Sequence, residues 1–420
     1  MEELKPLDPS PKKKPNIVVR FLAFLVTLAL LLGAVALVVF RDQLNFDALK
    51  RYFTYRNLEK NDAGQTESFH YDSGGKGGFD RVGDDLLVWS AAGVRLYSAG
   101  GVEYLNDPFA FHKPVADVGG KAAVVYDAGG NLLRAYSDRA QVYTLETVQG
   151  REILSARVNA AGRLTVTSRE PGYKGVVTVY DEDFQPAVGL RISQRFVLDG
   201  LLSEDGKTVA VLTVGQGQDT LDDTVSGDGF NSSFRFYSMD GDAPFAACSL
   251  GNNVILDLNA SGGVFWALGE SGLTTAGADG LQKGSYDYAG RYLKGYSLEG
   301  DGFATLLLGK YRAGSGATLV TVDSAGKEVA SLELEDQVLD LAAAGRYVAV
   351  LTAGGLDIYT KDLRPYGSLE NTAGARDVVL RGDGTAFLVG NGLPCKPADA
   401  PIRPFGPPSP WGKALILNAR

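Results

Sequence analysis

Ile153–Ser193 reads ILSARVNAAGRLTVTSREPGYKGVVTVYDEDFQPAVGLRIS, four short apolar runs separated by turns built on Gly, Asn and Asp. Alternating apolar residues bounded by such turns predict a four-stranded antiparallel meander. Its third run, VTVYDEDF (Val177–Phe184), has counterparts in VRLYSAGG (Val94–Gly101), LRAYSDRA (Leu133–Ala140), FRFYSMDG (Phe234–Gly241), TLVTVDSAGK (Thr318–Lys327) and the LDIYTKDL phrase around Asp357. A like-sequence strand returning every ~40 residues identifies a β-propeller, in which each repeat is one blade.

The first two strands of each unit follow the same plan. KPVADVGG with KAAVVYD begins at Lys113, RFVLDGLLSEDG with KTVAVLTV at Arg195, and NVILDLNASGG with VFWALGES at Asn253. YLKGYSLEGDG with FATLLLGK begins at Tyr292, QVLDLAAAG with RYVAVLTA at Gln337, and ARDVVLRGDG with TAFLVG at Ala375. With a less regular unit from Phe79, the reading is an all-β chain forming a single propeller of eight four-stranded blades over residues 66–420, seven being the alternative. The last unit lacks a fourth strand, and Glu67–Gly74 has no partner. Pairing it with Lys413–Asn418 would close the ring and hide the open edges.

Phe21–Phe40 holds twenty residues without charge or proline, enough at 1.5 Å per residue to cross about 30 Å of hydrocarbon. The reading is a transmembrane helix at 21–40 after a short basic tail at 1–20, with residues 41–65 forming a juxtamembrane amphipathic helix and linker. A cleaved signal peptide is the alternative, since Ala34-Val35-Ala36 resembles a cleavage site. The Lys12–Lys14 cluster places the N-terminus in the cytoplasm and the propeller outside it, in a single-pass cell-membrane protein.

Charge narrows the partners. Residues 1–60 carry ten Lys/Arg and six Asp/Glu, leaving 31 basic and 44 acidic side chains beyond them. So acidic a body repels phosphate backbones, which excludes nucleic acid. Two cysteines, Cys248 and Cys395, are far apart and are read as free thiols.

Catalytic signals are sparse. Only His70 and His112 are present, and no metal-ligand spacing, nucleophile elbow or phosphate-cradling glycine loop appears, so no cofactor or metal is expected. Trp89, Trp266 and Trp411 fall on or beside apolar strands and read as core. Asp219, Asp222, Asp223 and Asp228 in the long Gly215–Ser233 loop match no calcium-loop spacing and read as a solvated acidic excursion. The Pro-rich Leu393–Pro410 stretch reads as extended coil, a second candidate for partner contact.

One recurrence points to a site. The first strand of most units carries an aspartate: Asp80, Asp117, Asp199, Asp257, Asp340 and Asp377, with Arg157 in that place in one unit and Lys294-Gly295 in another. Six carboxylates around one axis would line a central channel. Each is expected to accept backbone N–H bonds from a neighbouring blade or turn rather than stand as a bare charge.

The basic tail, apolar anchor, LNFDALKRYFTYRNL stretch (Leu44–Leu58) and VYD-type strands together resemble a bacterial domain-of-unknown-function family of single-pass membrane-anchored propellers. That resemblance implies architecture and no activity. The strands also look like those of WD-repeat and quinoprotein propellers, without their Gly-His, Trp-Asp or quinone-docking signatures. The functional reading is a non-catalytic scaffold binding protein or cell-envelope polymer; a surface polysaccharide hydrolase or lyase using channel acids is the alternative.

Overall fold

The computed structural model describes residues 77–219, 221, 226–370, 372 and 374–390, together with Tyr71, Phe24 and Val26–Leu28. The chain divides into two units, 1–53 and 54–420. Of the first, Phe24 and Val26–Leu28 are helical and exposed. The expected span at 21–40 otherwise lies outside the described residues, among which no helix is long and apolar enough to cross a membrane.

The second unit is an all-β propeller. Its strands form seven four-stranded antiparallel sheets, here sheets 1 to 7, over residues 77–108, 114–146, 153–192, 196–251, 255–287, 292–334 and 338–370. Sheet 8 follows, with strands Ala375–Leu380 and Ala386–Gly390. Among the described residues the count of four-stranded blades is therefore seven, the alternative reading. Among the described residues the eighth unit has two strands; Glu67–Gly74 and Lys413–Asn418, expected to complete it, lie outside the described residues except for Tyr71.

Each meander is consecutive in sequence, so loops are short and the first strand of each sheet can face the axis. In sheet 3 the first hairpin turns at Asn159–Gly162: the Asn159 carboxamide accepts the amides of Ala161 and Arg163, and Gly162 takes the positive φ of 82° that closes it. The repeated phrase is the third strand, as in Gly93–Tyr97, Leu132–Ser137 and Gly175–Tyr180.

Burial follows position in the blade. Second strands are covered on both faces, so Ala122–Asp127 and Phe303–Gly309 are buried throughout. Outer strands alternate, as in Gln282–Asp287 and Glu328–Leu334, where charged residues guard the edge. The core consists of apolar layers between neighbouring sheets. Trp266, Leu268 and Leu273 of sheet 5 pack on Leu306, Leu308 and Val320 of sheet 6, and burying a side chain such as Leu306 contributes about 2 kcal/mol. Leu86, Val88 and Tyr97 of sheet 1 pack on Val379, Phe387 and Val389 of sheet 8, so the array closes on itself.

Trp266 is core, as expected, and its indole N–H donates to the Ser261 carbonyl at 3.1 Å. Cys248 carries a free, buried thiol, its pKa pushed up by burial. Cys395 and Trp411 lie outside the described residues.

Candidate functional site: the central channel

Register places the recurring residues at two levels along the axis: Asp80 and Asp117 lie two pairs from their hairpin turn, Asp257 and Asp340 four pairs from theirs. Asp80, Asp117, Arg157, Asp199, Asp257, Gly295, Asp340 and Asp377 each pair with a mid-strand residue of their sheet's second strand: Leu87, Val124, Thr165, Leu212, Leu268, Leu307, Leu351 and Val389. Gly295, rather than Lys294, occupies the acid's place in sheet 6.

Arg157 is the hub of this ring. Its Nη2 lies 2.8 Å from Asp199 Oδ2 and 3.1 Å from Asp257 Oδ1, and its Nη1 lies 3.1 Å from Asp117 Oδ1. Nε also donates to Asp199 Oδ2 at 3.0 Å, and Nη1 to the Leu258 carbonyl at 3.4 Å. A planar guanidinium with five N–H donors makes four hydrogen bonds here, to three carboxylates from sheets 2, 4 and 5 and to a carbonyl, one more than the three donors of an ammonium allow. Burial opposes the charge on Arg157, but Asp199, Asp117 and Asp257 outweigh it and raise its pKa well above normal.

Backbone amides hold many of the remaining lone pairs. Asp117 Oδ2 accepts Val158 N of the next sheet at 2.7 Å, and Asp340 Oδ2 accepts Val378 N of the next sheet at 2.7 Å. Asp199, Asp257 and Asp340 each accept the amide of the following residue at 2.8 Å, and Asp199 also accepts the Ser155 hydroxyl. Asp80 Oδ2 accepts the Trp89 indole N–H at 2.8 Å, which gives Trp89 a polar task beyond packing. Asp377 is exposed at the end of this series.

Enclosure then sets protonation. Burial, reinforced by Glu299, pushes Asp80 up to about 8. Burial raises Asp117 to about 6 against the pull of Arg157, and Asp340 to about 6 against its two amide bonds. Asp377, though open to the lumen, is raised by the protein around it, with Arg376 opposing.

Two volumes lie along the channel. One of about 460 Å³ is walled by first strands and reaches Phe79, Val115 and Leu256 near their N-terminal ends. The other, about 220 Å³, extends to Gly120, Ala160, Ser261 and Glu204 at the opposite ends. Residues common to both, among them Arg81, Asp117, Arg157, Asn259 and Glu299, form the waist. Glu299 was not singled out in the sequence, where SLEGDG reads as turn chemistry. It opens to the lumen but is enclosed by protein walls, and burial raises its pKa with Arg81 opposing.

The wider mouth has a feature the sequence did not reveal. In sheets 4 to 8 the first strand carries a one-residue bulge immediately before the ring position, at Leu198, Leu256, Lys294, Leu339 and Arg376. A bulge re-aims a side chain that strict alternation would turn away. Leu198, Leu256 and Leu339 at these bulges are 45%, 50% and 43% exposed, and Leu256 lines the larger volume. Lys294 is tied to the Gly314 and Gly316 carbonyls at 2.6 and 3.3 Å.

The long loop is also corrected. Asp219 is not solvated: its side chain is 1% exposed, clasped by Arg235 through Nη2–Oδ1 at 2.8 Å and Nε–Oδ2 at 2.9 Å, with Ser233 Oγ at 2.7 Å and Arg195 Nε at 3.5 Å. The side chains of Asp222, Asp223 and Asp228 lie outside the described residues. Among the described residues no group of His, Cys, Asp or Glu is arranged to hold a metal ion.

A chain of this build matches known proteins chiefly through its fold. Residues 51–233 match the family of unknown function DUF5711. No curated protein matches the sequence. Among solved structures, the chain is similar to the C-terminal WD40 domain of Sif2, at 12% identity and a TM-score of 0.50, covering 81% of this chain and 97% of that one. The β-propeller domain of Cps50 (Swd1) from Myceliophteria thermophila gives 10% identity and a TM-score of 0.43, covering 70% and 96%. The likeness to the Sif2 domain shows the propeller fold and nothing about activity.

Proposed function

We propose that this chain is a membrane-anchored, extracytoplasmic propeller that acts as a non-catalytic scaffold for a protein or cell-envelope polymer, with the wide channel mouth as its contact surface. The observation that carries this reading is the mouth itself: Leu256, exposed at a bulge, lines a preformed cavity, with Leu198 and Leu339 exposed at the matching bulges of sheets 4 and 7, while Asp117, Asp199 and Asp257 are committed to Arg157. The anchor at 21–40 and the Lys12–Lys14 cluster support the membrane location and the inward N-terminus. Closure of sheet 8 by Glu67–Gly74 and Lys413–Asn418 belongs to the same proposal. It is supported by complete burial of Ala386–Gly390, an edge strand among the described residues, and by Tyr71 Oη donating to the Gly390 carbonyl at 2.9 Å.

Purification of the full chain from membranes in mild detergent tests the scaffold reading. A stoichiometric partner protein or bound polymer is expected, and its absence counts against the reading. A second reading, polysaccharide cleavage, draws on Asp80, which is held protonated near neutrality beside an open cavity as a general acid would be. Release of reducing sugar from envelope polymer that disappears in Asp80→Asn would establish it in place of the scaffold.

A further inference from the structure

The two faces of the propeller expose different chemistry. Neighbouring first strands run the same way: Asp117 accepts Val158 N, Asp340 accepts Val378 N, and Gly300 bridges Gly345 in parallel. Turns that precede first strands and turns that join second to third strands therefore share the wide-mouth face, and the remaining turns share the opposite one.

Charge separates the faces. The sheet 4 turn aside, since most of it lies outside the described residues, the wide-mouth turns expose six Lys/Arg against Glu270, Glu335 and Asp336. Five of the six, Lys113, Arg169, Lys174, Lys310 and Arg312, have no carboxylate within 4.0 Å among the described residues. Turns of the opposite face expose eleven Asp/Glu against six Lys/Arg, Asp183, Asp242, Asp301 and Asp362 among the acids. In an acidic body, uncompensated positive charge gathers at one face.

Apolar exposure gathers there too. Tyr173, Phe196, Val254, Tyr292 and Tyr311 are all exposed, Tyr311 to 66%, whereas no Phe, Tyr or Trp is exposed in a turn of the opposite face among the described residues. Lys174 Nζ sits 4.7 Å from the Phe196 ring centroid and Lys310 Nζ 5.5 Å from that of Tyr311. These groups stand on separate turns of sheets 3 to 6, spread across a face rather than gathered into a groove. The chain also joins the propeller here: Gly77 pairs with Ser90 at the wide-mouth end of sheet 1, and Tyr71 bonds Gly390 at the same end of sheet 8.

We propose that the wide-mouth face docks on an anionic lipid bilayer: Tyr173, Phe196, Tyr292 and Tyr311 enter the headgroup zone while Lys174, Lys310 and Arg312 pair with lipid phosphates. This deepens the membrane-anchored scaffold reading and rests on it; the partner met at the mouth is then one carried at the membrane surface. An anionic polymer would satisfy the bases, but its hydroxyls offer Val254 and Leu256 no apolar burial, which the boundary between headgroups and acyl chains does.

The test reconstitutes the full chain into lipid nanodiscs of phosphatidylcholine, with or without phosphatidylglycerol, that carry a headgroup nitroxide. An environment-sensitive fluorescent amino acid stands at position 173, 311 or, on the opposite face, 242. Quenching at 173 and 311 is expected to rise several-fold with phosphatidylglycerol and to fall back in high salt and in the exposed triple variant Lys174→Gln/Lys310→Gln/Arg312→Gln, with none at 242. Equal quenching at all three positions, none at 173 and 311, or no response to phosphatidylglycerol overturns the docking. Perturbation of 173 and 311 by soluble polygalacturonate but not by phosphatidylglycerol gives the face to an anionic polymer and likewise overturns it. A chain that enters the discs without these changes loses only the docking; one that never enters them ends the anchored reading and the docking together.

Discussion

Arg157 in the channel and Asp219 beneath the long hairpin are charge hubs of opposite stoichiometry. Arg157 is one cation among three carboxylates and is 22% exposed, whereas Asp219 is one carboxylate between two arginines whose side chains are only 6% and 5% exposed. The first hub leaves acid in excess beside water, so the lumen can exchange protons or accept a cation. The second is dry and fully bonded, and its work is to tie the far end of the hairpin Thr208–Gln218 and Ser226–Ser238, the two inner strands of sheet 4, to Arg195. Exposure decides which hub is available for binding.

Breaking the dry hub should have the largest effect. Asp219→Asn leaves Arg195 and Arg235 without their counter-charge and is expected to lower stability by about 3–5 kcal/mol in chemical denaturation. Although burial opposes it, the bonds from Arg235 and Ser233 depress the Asp219 pKa. Its contribution is therefore present above the ordinary carboxylate range and is lost as pH falls through the lowered value.

The wet hub should give way less. Arg157→Met strands three carboxylates, but the lumen can hydrate or protonate them, so a loss of about 2–3 kcal/mol at pH 7 is expected. The loss should shrink at pH 5, because Asp117, already at about 6 with Arg157 present, takes up a proton. A loss as large as that of Asp219→Asn at both pH values would erase the distinction between the hubs.

Asp80→Asn reverses the sign. The Asp80 carboxyl moves from an ordinary 3.8 to about 8 in the folded chain, so its favourable protonation stabilises the fold at low pH and that stabilisation is lost as pH rises toward 8. An amide keeps an acceptor for Trp89 without the charge. The variant should be more stable than wild type by about 1–2 kcal/mol at pH 9, after allowance for water in the lumen, and the gain should vanish near pH 4.

The smallest effect concerns the ring closure. Removal of residues 413–420 is expected to lower the melting temperature by about 2–4 °C, the shift produced by roughly 1 kcal/mol in a domain of this size. No change would separate those residues from sheet 8.

Much of the propeller was legible because each meander is written locally. In Ile153–Ser193, strand, turn and strand follow each other with Asn159 and Gly162 marking the bend, and the same grammar returned in seven complete sheets. The ring acids were legible for the same reason: Asp117 and Asp340 do accept neighbouring-sheet amides, as expected. The convergence of Arg157 on carboxylates 40, 42 and 100 residues away was not, since it depends on circular closure rather than spacing. Nor were the bulges before Asp199, Asp257 and Asp340, because VLD and ILD look alike with or without an extra residue in register. Asp219 misled for a related reason: its neighbours in sequence are acidic, while its partners, Arg195 and Arg235, arrive from other strands.

The account stands or falls on the mouth being the surface that meets a partner. A photo-reactive amino acid placed at Leu256 on the rim, and in a separate variant at Phe245, 48% exposed on the outer strand of sheet 4, measures this in membranes of producing cells. The account predicts a discrete crosslinked species from position 256 and none from 245. Crosslinking from 245 alone, or equally from both, would contradict it.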